Sequence, residues 1–228
     1  VGGRIFMNLK LNPLNLICVG LALIAISLVL AVVFFYPIIL QEAGYLISGA
    51  GEDRNIEIVM DESRSQGTKE KKQKEKKQIE PVDKNFGVII PKINANASVV
   101  KDVDYKNPKE YQKALTKGVA HAEGTKFPGQ IGNVFIFSHS SVNFYEASRY
   151  NSVFYLLHRL EKGDMFYLVY NGNLFGYKVT EKKIVDANAV EYLQNLNGKK
   201  TATLMTCWPP GTTLRRLLII SELYTIEP

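Results

Sequence analysis

Cysteine is almost missing from this 228-residue chain: there are two, and Cys18 lies inside a long apolar run, which leaves Cys207 alone in the rest. No intramolecular disulfide can staple that remainder, and a thiolate zinc site lacks the second cysteine of the usual ligand sets. Histidine is nearly as scarce, at three residues, so any chemistry that needs an imidazole has only His121, His139 and His158 to choose from. The one strongly basic run, residues 69–78 (KEKKQKEKKQ), holds six lysines against two glutamates and contains no aromatic residue. It accounts for most of the formal charge of +6. A nucleic-acid groove interleaves aromatics with Lys and Arg, so this basicity is local and no nucleic-acid partner is expected. No internal repeat is visible.

What the chain does have is one long uncharged stretch. Residues 16–35, LICVGLALIAISLVLAVVFF, contain neither charge nor proline. Twenty residues at about 1.5 Å each cover the roughly 30 Å hydrocarbon core of a bilayer. A cleaved signal peptide would have a shorter apolar region, of about 7–15 residues, with a small-residue cleavage site close behind. The nearest such site, Ser48 to Ala50, lies well past the end of the run. Arg4 and Lys10 precede the run, whereas Glu42, Glu52, Asp53, Arg54 and Glu57 follow it, a positive-inside arrangement. The expected organisation is therefore a short cytoplasmic tail (1–13), a single-pass anchor in the cell membrane (14–40), a charged stalk (41–83) and one extracellular domain (84–228). The stalk reads as a solvated or partly helical spacer, because it has few apolar residues and no period.

From Phe86 the pattern becomes strand-like. FGVIIPKI, ASVVKDV and NVFIFSH read as strands, residues 108–116 as a short helix opened by Pro108, and GVAHAEGTKFPGQIGN as loop. VFYLLHRLEKGD reads as a helical turn. In MFYLVYNGNLFGYKVTEKKIV the Asn171-Gly172 pair between two aromatic and aliphatic runs marks a hairpin. Many short strands and few helices predict a mainly β fold, a closed or nearly closed barrel.

The stretch TLMTCWPPGTTLRRLLII, residues 203–220, concentrates the chemistry. Its first part reads as a strand that Pro209, Pro210 and Gly211 must stop within two residues of Cys207. The sulfur is thus expected at a strand end, where a rigid element meets an open loop. An unpaired cysteine outside the membrane is either buried and inert or kept because it reacts. A hairpin-like return would bring Arg215 or Arg216, eight and nine residues further on, back to the thiol. Adjacent strand residues face opposite sides, so only one of them can approach, and the apolar run LLII does not say which. His139 ends the strand NVFIFSH at a junction like that of Cys207. His121, a loop residue before a glycine-rich stretch, reads as surface or substrate-lining, and His158, flanked by core-like residues, reads as structural.

The pattern of Thr203, Leu204, Thr206, Cys207, Pro209 and Gly211, then an arginine before an aliphatic triplet, resembles the signature of sortases, the membrane-anchored cysteine transpeptidases of the bacterial surface. The resemblance implies an eight-stranded sortase-type β-barrel with short helices. It implies Cys207 as nucleophile, His139 as acid and base, and Arg216 as the oxyanion partner with Arg215 in reserve; by their places in the chain Thr206, Arg215 and His121 are expected as substrate contacts. It also implies a substrate class, secreted proteins with an LPXTG-like C-terminal sorting signal, and an amine acceptor on a wall precursor or a pilin subunit. Two other readings stay open at this point. One is a membrane-tethered cysteine hydrolase that passes the thioester to water, and the other is a non-enzymatic surface module. No cofactor or metal is expected: Glu123, Glu146 and Asp186 are scattered singly and form no calcium-ligand loop, although the sequence does not decide calcium dependence.

Overall fold

The computed structural model describes residues 13–47, 56–60, 77–140, 153–194 and 198–224. The leading tail with Arg4 and Lys10, residues 69–76 of the lysine-rich run, and Glu146 lie outside the described residues.

The uncharged stretch forms α1 (Pro13–Ile47), whose segment Pro13–Val33 is long and apolar enough to cross a membrane. Leu14, Leu16, Ile17 and Val19 are all exposed although they point around the whole circumference. A helix that is apolar and exposed on every side has the character of a lipid-facing span. The helix runs on to Ile47, into the residues expected to open the stalk. Part of the expected stalk pairs instead of remaining a plain spacer: β1 (Ile56–Ile58) and β2 (Lys77–Ile79) form a two-stranded parallel sheet. With three residues each, these strands are too short to show a period in the sequence.

Eight further strands close into a barrel: β3 (Phe86–Ile90), β4 (Ala95–Val103), β5 (Val119–Ala122), β6 (Gly132–Phe137), β7 (Met165–Tyr170), β8 (Asn173–Asp186), β9 (Lys200–Trp208) and β10 (Arg215–Leu223). Around the barrel the order is β10-β8-β7-β3-β4-β5-β6-β9. The expected mainly β, eight-stranded barrel is what the chain forms. Pairing is antiparallel except at β4–β5 and β6–β9. The predicted hairpin joins β7 to β8, with Tyr170 opposite Asn173 and φ values of 49° at Asn171 and 75° at Gly172. Two successive positive-φ residues twist the turn in the sense the flanking strands require.

Alternation along the strands builds two cores on opposite faces of one sheet. Side chains from all eight strands fill the interior, among them Val88, Val99, Val119, Ile136, Leu168, Tyr177, Leu204 and Leu217. The intervening residues Ala120, Phe135, Phe137 and Leu218 lie on the outer face, where α2 (Pro108–Leu115) covers them with Ala114 and Leu115. This helix starts as its sequence dictates: the Asn107 side chain accepts the Lys109 amide at 3.2 Å and Pro108 occupies the first turn. The segment read as loop contains β5, four residues buried on both faces.

Candidate active site

β9 carries Cys207 to the residue before its end at Trp208, and the chain then reverses through Pro209, Pro210 and Gly211. The Thr212 amide donates to the Pro209 carbonyl at 3.0 Å, and Gly211 takes a φ of 81°, which a side chain would resist. β10 returns antiparallel, so that Arg216 stands directly opposite Cys207 and Arg215 opposite Trp208. Directly opposed residues share a face, with Cβ atoms about 4.5–5.5 Å apart. Register thereby decides what alternation alone left open. The Arg216 Nη1 donates to the carbonyls of Thr213 and Arg215, both at 3.1 Å, which fixes one arm of the guanidinium over the turn. Arg215, expected as a substrate contact, is exposed, turns to the other face and stands opposite Asp186 across β8. Its position beside a face-sharing neighbour of the sulfur, one residue off, carries it away from the thiol.

His139 follows β6 by two residues. Parallel pairing sets Phe137 beside Met205, and the pairing continues past the strand end: the Ser138 amide donates to the Met205 carbonyl at 3.1 Å. The Ser138 carbonyl in turn accepts the Thr206 hydroxyl at 3.1 Å. His139 therefore leaves the sheet at the level of Cys207. Cys207, His139 and Arg216, each half-buried, line one cleft of about 340 Å³ on the outer face of the barrel. Its floor is Phe135, Phe137 and Met205, with Tyr111 and Leu115 of α2 on one side and Val190 and Leu193 of the β8–β9 connection on another. The aromatic floor went unread in the sequence, although the period-two spacing of Asn133, Phe135 and Phe137 inside NVFIF was its signal.

Two expected substrate contacts stand elsewhere. Thr206 is buried and points to the barrel interior, because it neighbours an outward-facing Cys207 on the same strand. It reaches the site through Ser138 and does not line the cleft. His121 is completely buried on β5, on the same side as Val119, with its ring stacked 4.8 Å from Phe127 and tilted against Phe86 at 5.6 Å. Its Nε2 donates to the Lys126 carbonyl at 3.0 Å and lies 2.9 Å from the Thr125 hydroxyl, while Nδ1 accepts the Asp102 amide at 3.3 Å. A side chain sealed in this way cannot touch a substrate. Burial pushes its pKa down from the ordinary histidine value, against the opposing pull of the Lys126 carbonyl and the Asp102 carboxylate. His158 sits in a 3₁₀ turn (Tyr155–Arg159) with Nδ1 3.1 Å from the Tyr155 carbonyl and its ring 5.7 Å from Trp208. Among the described residues no group of three or more His, Cys, Asp or Glu side chains comes together in a way that could hold a metal ion.

A thiol, an imidazole and a fixed cation on one apolar cleft have the elements of acyl transfer: a nucleophile, a proton carrier and a stabiliser for developing negative charge. Comparisons with known proteins agree with that chemistry. A family model described as the Sortase domain matches residues 88–224. Sortase D of Bacillus subtilis (strain 168) is 28% identical over 139 residues, which span 60% of this chain and 62% of that relative's length. The solved Sortase C1 of GBS Pilus Island 1 superposes with a TM-score of 0.53 at 26% identity, over 63% of this chain and 66% of that one. Sortase C-1 from Actinomyces oris gives 0.53 at 26% identity, over 64% and 76%. Since the family match extends over more than half of the residues, the chain belongs to the sortase family.

Proposed function

We propose that this protein is a membrane-tethered cysteine transpeptidase. It cleaves an LPXTG-like sorting signal and transfers the acyl part to an amine on a wall precursor or a pilin subunit. The observation that carries the reading is the direct cross-strand opposition of Cys207 and Arg216 on the face whose cleft also receives His139. Family membership supports the reaction class, and α1 supports tethering with the barrel outside the membrane.

In the proposed reaction the Cys207 thiolate attacks the scissile carbonyl carbon. A C–S bond forms and the π electrons move to oxygen, where the Arg216 guanidinium stabilises them. Collapse of the tetrahedral adduct breaks the C–N bond, and His139 gives its proton to the leaving amine. The acceptor amine then attacks the thioester, His139 takes the amine's proton, and the thiolate leaves. The apolar floor of Phe135, Phe137 and Met205 favours a substrate with aliphatic side chains next to the reacting carbonyl.

The test is mass spectrometry of the full-length protein in detergent, incubated with a panel of sorting-signal peptides with and without an amine acceptor. A peptide-acyl adduct on Cys207 that an amine converts to a new amide is the expected result. An adduct that yields only acid, whatever the amine, would identify a hydrolase. No adduct with any peptide would end the catalytic reading.

A further inference from the structure

One wall of the cleft belongs to no sheet. Val190 and Leu193 come from the β8–β9 connection, where the chain makes only a three-residue 3₁₀ turn (Glu191–Leu193). Such a turn has poor hydrogen-bond geometry and does not hold its place unaided. Among the described residues its local main-chain bonds are two: the Ala189 amide donates to Asp186 and the Leu193 amide to Val190, both at 3.1 Å. Tyr192 and Leu193 pack on the outer apolar cluster, and Lys183 of β8 lies over the Tyr192 ring at 5.6 Å, but the directional tie to the barrel is a side chain. Asn133 of β6, only 4% exposed, donates from Nδ2 to the Tyr192 carbonyl at 2.8 Å and to the Leu193 carbonyl at 3.4 Å. Its Oδ1 accepts the hydroxyls of Thr201 and Thr203 on β9, both at 3.1 Å.

That network is directional. Two main-chain carbonyls can only accept, so the amide nitrogen must face the wall and the amide oxygen the two threonines. Both Nδ2 protons are then used, and Oδ1 takes the Thr203 proton and shares that of Thr201, whose hydroxyl also lies 3.2 Å from the Gly132 carbonyl. Asn133 also shares its strand face with Phe135 and Phe137, so one run of alternate residues supplies the cleft floor and the tie to the cleft wall.

We propose that Asn133 is a positioning residue for peptide binding: by clamping the Tyr192 and Leu193 carbonyls it holds Val190 and Leu193 across the cleft from the aromatic floor. The inference rests on the reading of this cleft as the peptide site. It assigns Asn133 no part in bond making, since it reaches the substrate only through the wall.

Asn133→Asp is nearly isosteric and separates the two halves of the network. The carboxylate still accepts from Thr201 and Thr203, but it sets an oxygen against the Tyr192 and Leu193 carbonyls, so the clamp becomes a repulsion. In the full-length protein in detergent, hydrogen exchange of the 187–194 amides should accelerate on the order of tenfold. For a cleavable sorting peptide KM should rise on the order of tenfold with kcat within about twofold, the pattern of lost ground-state binding. Alkylation of Cys207 by iodoacetamide should keep its wild-type rate, because the thiol does not depend on the wall. Unchanged exchange at 187–194 would overturn the clamp, and a fall in kcat at constant KM would overturn the positioning role. If exchange accelerates while the wild type cleaves no peptide, the clamp stands and the peptide-site reading fails. Should the variant not fold, nitrogen-15 NMR of the wild type decides: the Asn133 Nδ2 protons should resist exchange with water, and rapid exchange would remove the clamp.

Discussion

Cys207 and Arg216 face each other across β9 and β10, while their neighbours Trp208 and Arg215 form the next pair on the opposite side. Two adjacent arginines with the same charge are thereby given unequal places by register alone, and only Arg216 lines the cleft with the thiol. Arg216→Ala should lower kcat/KM for a sorting peptide by about 10²–10³, the usual cost of losing one oxyanion donor. Arg215→Ala should leave it within about threefold, since the change removes no group from the cleft. Arg216→Lys should recover little, because an ammonium offers a point charge where the guanidinium offers a planar fork. Equal losses in the two alanine variants, read by steady-state kinetics, would mean that register does not select the catalytic cation.

Thr206 acts on the site from inside the barrel. Its hydroxyl holds the Ser138 carbonyl at 3.1 Å, next to the residue that carries the imidazole. Valine keeps the volume and the β propensity but leaves that buried carbonyl unpaired, at a cost of about 1–3 kcal/mol. Thr206→Val should lower kcat on the order of tenfold with little change in KM, because the His139 loop loses a support while the peptide cleft keeps its lining. Thr206→Ser should restore kcat. A serine variant as impaired as the valine one would show that the methyl group matters and the hydrogen bond does not.

What could be read from residues alone was local. The Asn171-Gly172 hairpin, the α2 start at Asn107 and Pro108, and the stop after Cys207 each depend on a few neighbouring residues whose conformational preferences agree. The parallel pairs β4–β5 and β6–β9 join segments with no turn between them to mark the register, and the β6–β9 register is what brings His139 level with Cys207. The choice between Arg216 and Arg215 hangs instead on the exact pairing of β9 with β10 across the Pro209–Gly211 turn, which the apolar run after it does not reveal. Val119–Ala122 reads as loop because a four-residue strand buried on both faces shows no alternation, and alanine and histidine are weak strand formers. The same lack of pattern hides the burial of His121. Thr206 differs: one position from an outward-facing Cys207 it had to face inward, and the family motif drew attention away from that parity. The Asn133 clamp joins side chains some sixty positions from the carbonyls they hold, a distance no motif records.

The interior cluster should dominate the stability of the barrel. Leu204 is completely buried among side chains from the surrounding strands, whereas Leu214, at 73% exposure, touches little. Leu204→Ala should destabilise by about 2–5 kcal/mol through lost burial and a residual cavity. Leu214→Ala should stay within about 0.5 kcal/mol. Urea unfolding followed by the fluorescence of Trp208, the one tryptophan and a side chain packed on that cluster, measures both. Similar midpoints for the two variants would contradict the closed, densely filled barrel.

His121 should make the barrel weaker in mild acid. The native state holds this ring neutral: Nδ1 accepts the Asp102 amide, Nε2 donates to the Lys126 carbonyl, and burial lowers the pKa. The Asp102 carboxylate, with Oδ1 3.6 Å from Nδ1, opposes that shift without reversing it. In the unfolded chain the ring titrates near the ordinary value of about 6.5. Below that pH the unfolded state binds the proton more readily than the native state, so the stability conferred by the neutral ring is complete above it and lost as pH falls toward the lower native value. The unfolding midpoint should therefore drop between about pH 7 and pH 5, before most carboxylates begin to titrate. His121→Gln, which cannot titrate, should flatten the slope over that interval, even if it lowers the midpoint throughout. His139 and His158 remain in the variant, so the difference between the two pH profiles isolates the buried ring. Parallel profiles for wild type and variant would mean that the ring takes up its proton equally well in the folded and unfolded chain.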